Sequence, residues 1–232
     1  KNPASLDWKL SDYKAITNSS NYKDPPAYIA KKLQRLTIKG QSSPLKAQAG
    51  FDSIKGVNFK KGQQWYKDYY VLTRKTLLKD FENLKALKIN TLKHYGPSVY
   101  DENVLSISSE FGLKTMYSFW INGSINFVTD TLTLLKLEKD ILKTVKTHKN
   151  RDNIISWNIG NDVLAQLDHY YNKPVLLHQQ FAYTKWLDRL LSKIKIEDPS
   201  RPVSIDISTE LGAQSRASFL VKYLQFDAFG II

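Results

Sequence analysis

From residue 53 onward, short apolar runs alternate with longer amphipathic stretches, and this alternation constrains the fold more than any other feature. The short runs are rich in Val, Ile, Leu and aromatic residues, which predicts buried strands, and the stretches between them have helical periodicity. Such alternation favours an α/β fold with a parallel sheet covered by helices. The predicted strands are 53–59, 89–96, 113–121, 153–160, 202–208 and 226–232, and the predicted helices lie near 74–88, 99–111, 131–148, 178–196 and 214–224.

Two of these helices have well-marked apolar faces. The first follows Thr73, a residue type favoured at helix N-caps. Its predicted buried residues are Leu77, Leu78, Phe81, Leu84 and Leu87. Those of the helix near 178–196 are Phe181, Trp186, Leu190, Leu191 and Ile194.

Six strand–helix units can form either an open doubly wound sheet or a closed barrel. The first strand continues as GVNFKKGQQWY and lacks the GxGxxG turn of a dinucleotide-binding sheet, and no GxxxxGK[ST] phosphate loop occurs. We therefore predict a (β/α)8 TIM barrel of which this chain contains the first six units. In that fold the working residues lie at the carboxyl ends of the strands.

The predicted strand ends are polar and aromatic, whereas the earlier halves of the strands are mainly aliphatic. Flat aromatic rings beside amides and carboxylates suit a sugar, which has apolar C–H faces and a rim of hydroxyl groups. The strand-end residues are Asn58, Phe59, Lys93, His94, Tyr95, Phe119, Trp120, Asn122, Asn158, Asn161, Asp162, Asp206 and Ser208.

Several segments in this order resemble a known family. They are GVNF at 56–59, INTLKHYG at 89–96, WNIGND at 157–162 and DPSRPVSI at 198–205, with an aromatic strand end at 113–121. Over residues 53–232 the chain resembles the catalytic barrel of the clan A glycoside hydrolases, closest to the family 2 β-glycosidases and the β-glucanosyltransferases.

This resemblance implies a retaining β-glycosidase or transglycosidase acting on a β-linked glycan. Asn161 matches the residue that binds the sugar 2-hydroxyl, and Asp162 stands where the family has its general acid/base Glu. Lys93 stands where the family has an Arg. The nucleophile would come from a seventh strand beyond Ile232. The two departures also fit an alternative, a catalytically degenerate barrel that binds glycan without cleaving it.

A purely structural role also stays open for both Asp162 and Lys93. Asp162 could cap the helix or loop after the fourth strand, because Asp is favoured at N-caps. If it transfers a proton, its carboxylate is withdrawn by about 1.5 Å relative to a Glu. Lys93 could extend into solvent at the strand end, and it lacks the planar donor fork of an Arg.

The other strand-end residues carry similar alternatives. By alternation, Lys93 and Tyr95 face the barrel interior, which turns His94 towards the helices as a structural residue. Trp120 is either a sugar platform or a core aromatic, whereas Trp157 favours core packing. Asp206 is either a ligand contact or one half of a salt bridge across the barrel.

Composition and missing motifs argue against several other classes of function. The net charge of +12 suggests a nucleic-acid partner, but the basic residues are 28 Lys and 6 Arg and are scattered, so we expect none and keep a nucleic-acid-binding protein as a third alternative. There are no Cys residues, no HExxH pattern and no GxSxG elbow, so neither a metal nor another cofactor is expected. The expected partner is an oligo- or polysaccharide.

Residues 1–52 are rich in Pro and polar residues, and we interpret them as an N-terminal extension packed on the barrel. No transmembrane segment and no signal-peptide apolar region is evident, so a mature or excised chain is expected. A truncated barrel is expected as well, since the sixth strand reaches the last residue. The glycan interpretation implies a secreted, periplasmic or cell-surface protein. The sequence predicts neither the glycan nor the oligomeric state.

Overall fold

A computed structural model of the chain describes residues 53–61 and 71–231. The predicted extension over residues 1–52 lies outside the described residues. The strands are β1 (Gly56–Phe59), β2 (Thr91–Gly96), β3 (Lys114–Phe119), β4 (Ile154–Ile159), β5 (Val203–Ile207) and β6 (Ala228–Ile231). The helices are α1 (Arg74–Ala86), α2 (Asp101–Glu110), α3 (Thr131–His148), α4 (Val163–Tyr170), α5 (Val175–Glu197) and α6 (Ala213–Tyr223).

The six strands form one parallel sheet in the order of the sequence, and helices connect each strand to the next. The sheet curls into a partial barrel, which confirms the prediction of the first six units of a (β/α)8 fold. Within the described residues, β1 pairs with β2 alone and β6 pairs with β5 alone. All carboxyl ends of the strands therefore lie at the same edge, where the predicted site residues are.

Two apolar clusters hold the helices on the sheet. The larger joins α3 and α5 to β3, β4 and β5 around Trp157, and the smaller joins α1 and α2 to β1 and β2 around Phe81. Burying a large apolar side chain contributes about 1.5–3 kcal/mol, so these clusters stabilise the packing of the helices on the sheet. No helix of the described residues is long and apolar enough to cross a bilayer.

Two residues predicted to be buried are exposed instead. Leu87 is 72% exposed because α1 ends at Ala86, so Leu87 is the C-cap and lies beyond the apolar face. Phe181 is also exposed, and its ring lies 5.8 Å from those of Phe219 and Tyr223 on the outer side of α5 and α6.

The element boundaries otherwise follow the sequence pattern closely. The α3 boundaries agree with the prediction, and Thr73 caps α1 as predicted by accepting a hydrogen bond from the Thr76 amide at 3.2 Å. Helix α4, which has eight residues and directly follows Asp162, was not predicted from the sequence. Its N-terminus proves central to the site.

Candidate functional site

Alternation along the strands separates structural residues from site residues. As predicted, His94 faces the helical layer, where its Nε2 lies 2.8 Å from a carboxylate oxygen of Asp101. Trp157 is fully buried on the same side, and its indole N–H donates to Asp198 at 2.8 Å. Both predictions of a structural role are confirmed. The neighbours of His94 and Trp157 along each strand therefore face the inside of the partial barrel.

On the inner face, the ends of β2 and β5 are joined by an ion pair. Nζ of Lys93 lies 2.6 Å from one carboxylate oxygen of Asp206, and the amide of Asn158 donates to the other oxygen at 2.9 Å. A side chain at Gly230 on β6 would collide with this carboxylate, so the glycine provides its space. The interpretation of Lys93 as a solvent-exposed residue was wrong. The bridge considered for Asp206 is present.

Burial dominates the electrostatics of this pair. The Asp206 side chain is 0% exposed and that of Lys93 is 14% exposed. Loss of water around the carboxylate raises the pKa of Asp206 above its usual value, although the Lys93 ammonium opposes the rise. The neighbouring Tyr95 hydroxyl also has a raised pKa, first because of its own burial and second because of the Asp206 charge.

Asp162, at the end of β4, joins two loops on the same edge of the sheet. Its backbone is left-handed, with φ at 55°, and its side chain caps α4 by accepting a hydrogen bond from the Ala165 amide at 3.3 Å. The other carboxylate oxygen accepts two hydrogen bonds from Ser208, at 2.7 Å from the amide and 2.7 Å from the hydroxyl. Arg216 on α6 donates to that oxygen through Nε at 3.1 Å and lies within 3.0 Å through Nη2.

We call Asp162, Ser208 and Arg216 the Asp162 clasp. Asp is one of the few residue types with a side chain that tolerates a left-handed backbone, and its short arm suits an N-cap. Asp162 is 4% exposed, so its carboxylate is both buried and paired. The N-cap alternative proposed from the sequence is therefore present. Arg216 was missed, because it lies 54 residues from Asp162 in an ordinary helical context.

Asn161 precedes the Asp162 clasp, and only one of its two side-chain polar atoms is hydrogen-bonded within the described residues. Its Oδ1 accepts a hydrogen bond from the Ile121 amide at 3.0 Å, which fixes the orientation of the side-chain amide. Its Nδ2 is buried and has no hydrogen-bond partner within the described ranges 53–61 and 71–231. The same holds for Oδ1 of Asn158. Buried polar atoms are rarely left unpaired in folded proteins, so water or a ligand hydroxyl is expected to complete them.

An aromatic rim borders these groups. Trp120, just beyond β3, is 55% exposed, so the core alternative for this residue was wrong. Its ring centroid lies 6.0 Å from that of Tyr95, which is itself buried. Lys60, directly after β1, places its ammonium 5.5 Å from the Tyr95 ring centroid, as does Lys93.

The fold can be compared with that of known proteins. No family model matches the sequence, and no curated protein matches it. Among solved structures, a calcium-binding mutant of β-glucuronidase 2 from Bacteroides uniformis is 18% identical with a TM-score of 0.62. The match covers 77% of this chain and 21% of that one.

Two further structures are similar. An endo-1,4-β-mannanase from Eisenia fetida is 11% identical with a TM-score of 0.50, covering 75% of this chain and 66% of that one. A GH5_18 protein from Streptomyces cattleya, in complex with Manβ1-4GlcNAc, is 14% identical with a TM-score of 0.50, covering 67% and 45%.

In fold, the chain is similar to glycoside hydrolases. The resemblance predicted from the sequence is confirmed at this level. The chain spans about a fifth of the β-glucuronidase, and at these identities the likeness supports the fold rather than any particular activity.

Proposed function

We propose that this protein is a carbohydrate-active barrel that binds a β-linked glycan at the carboxyl ends of its strands. The observation that carries the proposal is the exposed ring of Trp120 on the same edge as the unpaired amide nitrogen of Asn161. The ring offers an apolar platform for the face of a sugar, and the amide offers a donor for a hydroxyl group. The proposed setting is secreted, periplasmic or cell-surface.

Within this proposal, Asp162 acts in structure rather than in proton transfer. A general acid must come within about 2.6–3.2 Å of the atom that it protonates, directly or through one water. The Asp162 carboxylate is buried and already holds Ala165, Ser208 and Arg216. Reaching a glycosidic oxygen would require it to leave these partners. Binding without cleavage is therefore the function that the clasp favours.

A second candidate is a retaining β-glycosidase or transglycosidase, supported by the position of Asn161 and Asp162 directly after β4 in a fold shared with glycosidases. Asp162 would protonate the leaving oxygen, and Asn161 would bind the 2-hydroxyl. Lys93 would stand in for the family Arg. The nucleophile would be a carboxylate beyond residue 232, about 5–5.5 Å from Asp162 in a retaining enzyme.

Hydrolysis assays with aryl β-glycosides and β-linked oligosaccharides separate the two candidates. The assay uses protein that includes the chain beyond residue 232, where the second candidate places its nucleophile. The wild type, Asp162→Asn and Asp162→Glu are compared, with Asp168→Asn as a control because Asp168 is an exposed residue of the helix that Asp162 caps. We expect no turnover from any of the four proteins. Turnover by the wild type that Asp162→Asn abolishes and Asp168→Asn retains would instead establish the glycosidase and end the binding-only proposal.

A further inference from the structure

We propose that the Lys60–Tyr95–Trp120 rim selects glycans that carry a negatively charged substituent, a carboxylate or a sulfate ester. This inference rests on the proposed function, since it assigns a charge preference to the same glycan site. The three residues lie at or just beyond the carboxyl ends of β1, β2 and β3, so they form one continuous stretch of the strand-end edge.

Two lysine ammonium groups lie near the Tyr95 ring, and they differ in whether a carboxylate of the described residues pairs with them. Lys93 is neutralised by the buried Asp206 carboxylate at 2.6 Å. Lys60 is exposed, and no carboxylate of the described residues lies within ion-pair distance of it. Lys60 therefore contributes a net positive charge beside the aromatic rings. The chain as a whole has a net charge of +12, which adds a favourable long-range field for an anion.

The Lys60 charge and the Trp120 ring flank the same tyrosine ring. The Lys60 ammonium and the Trp120 ring both lie against Tyr95, at 5.5 Å and 6.0 Å from its ring centroid. We infer that a glycan stacked on Trp120 brings a substituent of a neighbouring unit towards the ammonium. A neutral substituent there would leave the ammonium to water, whereas an anionic one would pair with it. The rim therefore discriminates by charge as well as by shape.

The test is calorimetric titration of the full chain with matched ligands. Cellotetraose and its C6-oxidised form differ only in the carboxylates, and a C6-sulfated form identifies which anion is preferred. Lys60→Gln is compared with Lys139→Gln, which changes an exposed lysine of α3 far along the sequence. We expect the charged ligands to bind about tenfold more tightly than cellotetraose. Lys60→Gln should reduce that preference about fivefold, equivalent to about 1 kcal/mol for an exposed ion pair.

Salt provides a second readout that needs no variant. Raising the ionic strength from 0.1 M to 1 M shortens the Debye length from about 10 Å to about 3 Å, so the preference should shrink. Equal affinity for neutral and charged ligands, or a preference that Lys60→Gln leaves intact, would overturn this inference and leave glycan binding standing. Failure of all three ligands to bind a folded protein would overturn both this inference and the proposed function.

Discussion

The Asp162 clasp can be tested by replacing its carboxylate with an amide. Asn tolerates the left-handed backbone at position 162 and remains a good N-cap, so Asp162→Asn removes the charge and preserves the local conformation. The variant leaves the Arg216 side chain, which is 9% exposed, without its carboxylate. Removing one partner of a buried ion pair costs about 3–5 kcal/mol.

We expect a loss near the lower end of that range, because Arg216 keeps a hydrogen bond to the Leu211 carbonyl at 2.8 Å. A loss of about 3 kcal/mol corresponds to a fall in Tm of about 6–12 °C for a domain of this size. Thermal unfolding followed by circular dichroism measures it. The Asp168→Asn control should remain within about 0.5 kcal/mol of the wild type.

A double-mutant cycle with Arg216→Met isolates the pairwise contribution. We expect a coupling free energy of about 2 kcal/mol between positions 162 and 216, within the usual range for residues of one network. A coupling below about 0.5 kcal/mol would contradict a clasp between Asp162 and Arg216. It would mean that the two side chains contribute to stability independently of each other.

Substitutions of Trp120, Lys93 and Asp198 test the strand-end edge of the sheet and the residues that stabilise it. Trp120→Ala should weaken glycan binding, measured by titration calorimetry, about tenfold, and it should change the free energy of unfolding by no more than about 0.5 kcal/mol. Leu132→Ala, at an exposed helix position, is the control. Lys93→Met removes the ammonium that opposes the rise in the Asp206 pKa, so this pKa should rise further in the folded state. Above its pKa in the unfolded chain, Asp206 is then protonated in the folded state and ionised in the unfolded state. The free energy of unfolding of Lys93→Met should therefore fall more steeply than that of the wild type as the pH rises above about 4, and parallel urea-unfolding profiles would contradict this. Burial alone would raise the pKa of Asp198, but hydrogen bonds from Ser200, Arg201 and Trp157 lower it to about 2. Asp198→Asn should therefore cost about 2 kcal/mol at pH 7, and the difference from the wild type should narrow as the pH falls below about 4; a difference independent of pH would argue against these bonds.

The fold was largely predictable because its signals are local. Each strand shows as an apolar run, and α3 shows apolar residues at helical spacing over its whole length, so boundaries can be placed from neighbouring residues alone. The missed helix α4 is short, and its capping residue Asp162 also matched a family motif. Leu87 and Phe181 fit the apolar spacing of their helices, so the sequence predicts them as buried. Both lie outside the packed face and are exposed.

The position of the candidate site could be predicted from the sequence, but the contacts between its side chains could not. Strand-end residues could be named because parallel strands share one carboxyl-terminal edge. Their partners could not, since Lys93 and Asp206 are separated by 113 residues and Asp162 and Arg216 by 54. Nothing near Arg216 in the sequence indicates that its guanidinium reaches the end of β4. The sequence left both alternatives for Asp162 open, and the contacts of the folded chain favour the structural one.

The most direct measurement is a calorimetric titration of the full chain with a β-linked oligosaccharide, with chromatography of the sugar at the end of the titration. We predict saturable binding and recovery of the oligosaccharide intact. Absence of binding by folded protein, or shortened or elongated products whose formation requires Asp162, would contradict it.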